Sequence, residues 1–187
     1  MKTIPLILAA VLLGGCGWVR GSGHYRVWVD PSFSAEKQVE VRQVVAYWQD
    51  RVTGPQGPVV DFELTSDPDA DGDVIRIHST TYEKLTREEP SDNPGDWTLG
   101  YCGYGGTDSD IELSSNMNRP QFMKVAQHEL GHALGLEHEP GGVMDPGWIH
   151  YVVTCDDVKQ FCEEWDCDAS KLNGCTHPID ITSMQDF

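Results

Sequence analysis

Residues 128–138 read His-Glu-Leu-Gly-His-Ala-Leu-Gly-Leu-Glu-His, and this stretch decides the fold that the chain is expected to adopt. If it begins on a helix, His128 and His132 lie one turn apart and project from the same face. Two imidazoles placed in this way can bind one metal ion at about 2.0–2.1 Å each, a distance typical of zinc. Glu129 follows the first histidine and projects beside the pair, toward a metal-bound water. The spacing therefore predicts part of a zinc site.

A glycine and a third histidine complete this pattern. Gly135 permits a left-handed turn that ends the helix and reverses the chain. His138 then arrives as the third ligand, and three protein ligands leave one position open for water, as in catalytic zinc sites. We therefore expect one catalytic Zn²⁺ bound by His128, His132 and His138, with Glu129 as the catalytic residue. Incidental surface histidines on a helix would not explain this fixed spacing.

A second element follows the third histidine. Val143-Met144-Asp145-Pro146 resembles the Met-turn, whose methionine packs beneath the zinc in the metzincin metalloproteases. The 128–138 stretch is similar to the extended zinc motif of the same clan. Over roughly residues 24–165 the chain most resembles a matrixin. The resemblance implies an α+β metzincin (zincin-like) catalytic domain: a mixed twisted sheet with an edge strand over an active-site helix, a Met-turn and a C-terminal helix.

Departures from the matrixin pattern leave the subfamily open. Glu139 follows the third histidine, where matrixins have serine and astacins have glutamate. Pro146 lies two residues after the methionine, where astacins have tyrosine. Matrixins also bind a structural zinc through several upstream histidines, and His78 is the only histidine in that region here. We therefore expect no second zinc.

Hydrophobic periodicity predicts the remaining elements. Alternating and apolar runs predict strands at residues 25–29, 59–64, 74–78 and 110–114. We expect helices from Ser34, its N-cap, to about Arg51, from residues 118–120 through the zinc motif, and after the N-cap Thr154. Residues 83–97 carry charges, prolines and a glycine, and indicate an irregular loop. Residues 99–106 are either an edge strand, along which an extended substrate pairs in the family, or a glycine-rich turn.

Four of the six cysteines cluster near the C-terminus, at positions 155, 162, 167 and 175. If Cys155 and Cys162 flank one helix, their Cα atoms lie roughly 10 Å apart. A disulfide tolerates no more than about 7 Å between the two Cα atoms, which disfavours the 155–162 pairing. Two arrangements remain: 155–175 with 162–167, or 155–167 with 162–175. Cys102 lies outside this cluster, and we expect it to be buried or bonded rather than to face the cleft.

The N-terminus resembles a bacterial lipoprotein signal. Lys2 supplies a positive charge, and the apolar residues 4–13 are too few to span a bilayer. Leu13-Gly14-Gly15-Cys16 resembles a lipobox, which implies a lipid anchor on Cys16. Ordinary secretion is the alternative, and both imply an exported protein, either in the cell envelope or extracellular. The predicted organisation is a signal peptide (1–15), a tether (16–23), a catalytic domain (24–165) and a disulfide-linked C-terminal tail (166–187).

Composition limits the partners. The 187 residues suit one domain, and the formal net charge of −17 argues against nucleic acid, because phosphate binding needs positive charge. We expect a monomer that binds a polypeptide substrate in extended conformation and contacts a membrane only through Cys16.

Residues 67–73 resemble half of an EF-hand loop, so Ca²⁺ is an additional candidate cofactor. His78 replaces the glutamate expected at position twelve, and an acidic turn is the favoured alternative.

These observations predict a zinc-dependent metalloendopeptidase. Glu129 would take the proton of the zinc-activated water as general base and return it to the departing amine. By resemblance, residues 147–151 would form a wall of the S1′ pocket. The alternatives are a zinc hydrolase of cell-wall peptide crosslinks and a non-catalytic zinc-binding lipoprotein. The second is disfavoured because Glu129 is intact.

Overall fold

The computed structural model describes residues 22–88, 99–105, 107–145 and 152–177. The predicted signal peptide, Cys16 and residues 146–151 lie outside these ranges. The elements in chain order are β1 (His24–Val29), α1 (Ala35–Arg51), β2 (Thr53–Gly54), β3 (Gly57–Pro58), β4 (Asp61–Thr65), β5 (Asp73–Thr80), α2 (Tyr82–Glu88), β6 (Gly100–Gly105), β7 (Asp108–Ser114), α3 (Arg119–Ala133), α4 (Cys155–Trp165) and α5 (Asn173–Thr176). A 3₁₀ turn at Ala169–Lys171 precedes α5.

Five strands form one mixed, mostly parallel sheet in the order β4-β1-β5-β7-β6. Strand β1 pairs in parallel with β4 and β5, and β5 pairs in parallel with β7. Strand β6 is antiparallel to β7 and forms an edge of the sheet. This arrangement confirms the α+β fold class and the edge-strand interpretation of the glycine-rich segment.

Helices α1 and α3 pack against each other and bury one face of the sheet. Val41, Val44, Val45 and Trp48 recur at helical spacing on α1, and all four side chains are buried. The indole Nε1 of Trp48 donates a 3.0 Å hydrogen bond to the carbonyl of Gln127 on α3. Because Gln127 directly precedes the first motif histidine, this bond ties the core to the start of the zinc motif.

The helix N-caps follow the sequence prediction. The Ser34 side chain accepts a hydrogen bond from the amide of Lys37, and Asn118 accepts one from Gln121. Thr154 forms a capping box with Asp157 at the start of α4. Such caps satisfy backbone amides that have no partner within the helix. All three helices therefore begin where their capping residues predict.

The prediction of an irregular loop over residues 83–97 is wrong in its first part, because α2 covers residues 82–88. Leu85 is 1% exposed and anchors this helix on the sheet, while Lys84 and Glu88 pair at i,i+4 spacing. A single buried leucine can therefore hold a short helix of mostly charged and polar residues against the sheet. The hairpin of β2 and β3 is a further element that the sequence analysis missed.

Two disulfides close the C-terminal region, Cys155–Cys175 and Cys162–Cys167. They select the first of the two arrangements that the sequence left open. Cys102 belongs to neither bond, and it is half-buried against the core. Within the residues that the structure describes, no helix is long and apolar enough to cross a membrane.

Candidate active site

Helix α3 and the loop after it bring the three motif histidines together. The Nε2 atoms of His128, His132 and His138 form a triangle with sides of 3.1 Å. Two ligands on a tetrahedral zinc at 2.0–2.1 Å lie about 3.3–3.4 Å apart, so the observed separations fit this ion. Within the described part of the chain, no other group of three histidine, cysteine or carboxylate side chains converges in this way.

Gly135 makes this convergence possible. Its φ of 92° lies in the left-handed region, and its amide donates to the carbonyl of His132 at 2.8 Å. Leu136 then bonds back to the carbonyl of Gly131 at 3.1 Å. The helix ends at Ala133, two residues before this glycine, and the reversed chain carries His138 to the other two rings. The predicted helix-ending role of this glycine agrees with its observed geometry.

Backbone carbonyls orient two of the three imidazole rings. His128 donates from Nδ1 to the carbonyl of Val143 at 2.8 Å, and His132 donates from Nδ1 to that of Leu136 at 2.7 Å. A carbonyl can only accept, so each Nδ1 carries the hydrogen and each Nε2 presents its lone pair to the cluster. Burial and the neighbouring His132 lower the pKa of His128 to about 4, and burial also lowers the pKa of His132. Both rings are therefore neutral at neutral pH, the form that binds metal.

The Met-turn lies directly beneath the metal-binding helix. Met144 is fully buried, and a Cβ built on Gly131 would overlap its Sδ atom and lie 3.3 Å from Cζ2 of Trp48. Gly131 directly precedes His132 in the helix, and the absence of a side chain there admits the methionine. The turn predicted from sequence therefore contacts the middle of the zinc motif.

Asp157 on α4 holds the Met-turn from the other side. Its buried carboxylate accepts hydrogen bonds from the amides of Val143 (3.1 Å) and Met144 (3.2 Å). It also accepts from the amide (2.6 Å) and hydroxyl (2.8 Å) of Thr154. Because the carbonyl of Val143 orients His128, Asp157 supports the imidazole of His128 through one intervening residue. The sequence analysis assigned no role to Asp157.

The side chain of Glu129 projects from α3 toward the edge strand β6. Its side chain is 5% exposed, and burial raises its pKa to about 8. The carboxylate rests against Gly100, where a Cβ would come within 2.7 Å of Oε1. Glu129 is therefore a desolvated carboxyl beside the histidine cluster, in the position that the motif predicts for a general base.

Lys124 is a buried cation that the sequence analysis did not identify. It lies one turn before His128 on α3 and is 6% exposed. Burial lowers the pKa of Lys124, whereas the negative charge of Asp145 opposes that change. A lysine on an amphipathic helix is normally assigned to the solvated face, so periodicity offered no signal for its burial.

Two of three comparisons with known proteins found a similarity. The family model described as Matrixin matches residues 33–163, which is more than half of the chain. The search of curated proteins finds no match. Among solved structures, the chain is similar to high choriolytic enzyme 1, a hatching enzyme zinc-protease from Oryzias latipes (medaka fish). That similarity has 16% sequence identity and a TM-score of 0.40, and covers 66% of this chain and 50% of the other. The chain thus spans about half the length of that protein.

Proposed function

The chain belongs to the matrixin family, and we propose from this premise that it is a zinc-dependent endopeptidase acting on extended polypeptides. The observation that carries the proposal is the convergence of three histidine Nε2 atoms, 3.1 Å apart, beside a buried glutamate. Two of these rings are held in the tautomer that binds metal, which favours a built metal site over a chance cluster. The three histidines would hold one zinc ion.

Glu129 would perform the proton transfers of the reaction. A bound zinc supplies Lewis acidity, which lowers the pKa of a water to about 7 and polarises the peptide carbonyl. The positive charge of a zinc ion held by the histidines would favour the ionised form of Glu129. The carboxylate would then accept the proton of the attacking water and deliver it to the nitrogen of the departing amine. Its enclosure between α3 and β6 removes competing water from the carboxyl group.

Strand β6 is the surface on which we expect the substrate to pair. It is an edge strand of the sheet, and strand addition takes place at such an edge. Gly100 on this strand touches Glu129, so a peptide pairing there would pass the proposed general base. An extended polypeptide fits this edge, because strand addition requires an extended backbone.

A comparison of wild type with Glu129→Gln tests the proposed function. We expect both proteins, produced in an oxidising compartment, to bind one zinc, and only the wild type to cleave an unstructured protein such as casein. The matched control is Glu139→Gln. This variant makes the same chemical change at an exposed carboxyl that directly follows His138. Zinc binding by all three proteins with casein cleavage by none would refute the proposal. Cleavage of cell-wall peptide crosslinks instead would identify the alternative substrate.

We also propose export with a lipid anchor on Cys16. Two disulfides indicate an oxidising compartment outside the cytoplasm, which supports export. Mass spectrometry of the mature N-terminus tests the anchor: a diacylglyceryl group on Cys16 is expected, and an unmodified secreted form would contradict it. The monomeric state remains a prediction, which light scattering would check.

Calcium binding at residues 67–73 also remains a prediction. Asp67 accepts a 3.0 Å hydrogen bond from the amide of Asp69, and Asp73 accepts one from Ser22. Two of the carboxylates in this loop therefore already have backbone partners. Calorimetric titration with Ca²⁺, compared between wild type and Asp69→Asn, would detect a site if one exists.

A further inference from the structure

Strand β6 crosses helix α3 at a point where no side chain fits. A Cβ built on Gly100 would lie 2.7 Å from Oε1 and 2.8 Å from Cγ of Glu129, and closer still to Cγ1 of Val125. Real Cβ atoms essentially never show contacts under 3.0 Å. The backbone of Gly100 is therefore itself the wall against which the Glu129 side chain rests.

The neighbours of Gly100 differ in how they can yield to a larger residue. Val125 is fully buried on α3, and a β-branched side chain in a helix has one strongly preferred rotamer. Glu129 has three rotatable bonds, so its carboxylate is the group that a methyl on Gly100 would displace most easily. A change at Gly100 therefore acts first on the position of the carboxylate.

Gly103, in the middle of the same strand, provides a contrast. The three atoms nearest to a Cβ on Gly103 all belong to the side chain of Tyr101, and the closest, Cε1, lies at 3.2 Å. Tyr101 is 39% exposed, and none of these distances is under 3.0 Å. The requirement for glycine at position 100 is thus a property of its contact with α3 rather than of the strand.

We propose that Gly100 is a positioning residue that holds the Glu129 carboxylate between the edge strand and the histidine cluster. The inference rests on the proposed function and deepens it. The backbone that would pair with the substrate also forms the wall behind the general base, so both share one fixed geometry. A displacement of about 1 Å in such a group can cost about a hundredfold in rate, so a methyl at this position has a measurable effect.

The test separates the contact with Glu129 from the overlap with Val125. Gly100→Ala is made in the Val125→Ala background, which removes Cγ1 and leaves Glu129 as the group in the way. Three quantities are measured against Val125→Ala alone: kcat and KM on casein, zinc affinity by chelator competition, and the ¹³C resonance of the Glu129 carboxyl. The resonance is recorded in zinc-free protein with labelled glutamate, and it is assigned to Glu129 by its absence from the Glu129→Gln variant. Gly103→Ala is the matched control for the resonance.

We expect the double variant to lose about tenfold or more in kcat, with zinc affinity within about threefold of the Val125→Ala protein. The Glu129 resonance should move in the double variant and stay in place in Gly103→Ala. An unchanged kcat or an unmoved resonance would overturn the proposal. A parallel loss of zinc affinity would also overturn it, because the distortion would then include the histidines. If wild type cleaves nothing, the proposed function fails, and the resonance still decides whether Gly100 positions the carboxyl.

Discussion

Replacing Asp157 by asparagine tests whether α4 supports the zinc site through the Met-turn. The carboxylate accepts four hydrogen bonds, from the amides of Val143, Met144 and Thr154 and from the Thr154 hydroxyl. Asparagine has the same shape, but its amide nitrogen donates instead of accepting. In its best orientation the side chain keeps its oxygen toward Val143 and Thr154 and turns its nitrogen toward the Met144 amide. At least one charge-assisted hydrogen bond is then replaced by two donors that face each other.

The expected cost follows from these contacts. A hydrogen bond to a charged group contributes about 1.5–3 kcal/mol, so we expect Asp157→Asn to lower the free energy of unfolding by about that amount. The Val143 carbonyl orients His128, and loss of such outer partners typically weakens metal binding by about 10–100-fold. Because Asp157 acts through one intervening residue, we expect the lower end, about tenfold.

Urea unfolding of the zinc-free protein and chelator competition measure these two effects. Asp156→Asn is the matched control, because Asp156 lies in the same helical turn with its side chain 72% exposed and paired with Lys159. Such an exposed pair contributes about 0–1 kcal/mol, so the control should change little. If Asp157→Asn is destabilising but zinc affinity stays at the wild-type value, the inferred connection to His128 is wrong. If the two variants are equally stable, the hydrogen-bond argument itself fails.

Three further predictions concern the core, the pH dependence and the disulfides. Gly131→Ala should lower the free energy of unfolding by about 1–3 kcal/mol, because the added methyl overlaps Met144. If there were no overlap, replacing a glycine inside a helix would instead raise the free energy of unfolding by up to about 1 kcal/mol. Urea unfolding shows whether the change is a loss or a gain of stability. Burial raises the pKa of Glu129 from 4.5 to about 8, so its contribution to zinc-free stability is present below pH 4.5 and lost as pH rises through 8. Glu129→Gln should abolish that loss in unfolding curves recorded across this range, and an unchanged slope would contradict the assignment. Disulfides 155–175 and 162–167 close loops with separations of 20 and 5 residues. Replacing the cysteines of each pair by alanine should lower the free energy of unfolding by about 3 and about 2 kcal/mol respectively, because the longer loop loses more entropy on closure. A larger loss for the 162–167 pair would contradict this argument.

The zinc motif was predictable because its geometry is local. Helical spacing alone brings His128 and His132 to one face, and Gly135 ends the helix by its own conformational freedom. The capping residues and the hydrophobic stripe of α1 are local in the same sense, since each depends on neighbours within one or two turns. These elements of the fold were therefore correct before any packing was known.

Other features depend on contacts between residues far apart in the chain. Helix α2 was missed because a single leucine anchors it to the sheet, and no periodicity is visible in so short a segment. The burial of Lys124 was missed because its position in the sequence matches that of a solvated helix residue. In both cases the energy of packing outweighed the local preference.

By itself, the sequence determined the fold class and the family resemblance, and it predicted which histidines would bind zinc and which glutamate would act as base, because these follow from spacing within one turn and from a contiguous motif. Only the tertiary structure decided which cysteines pair and how Asp157 supports His128 through the Met-turn. It also showed that Gly100 forms a wall behind Glu129. Each of these depends on the distance between separate elements, and that distance is set by how the whole core packs.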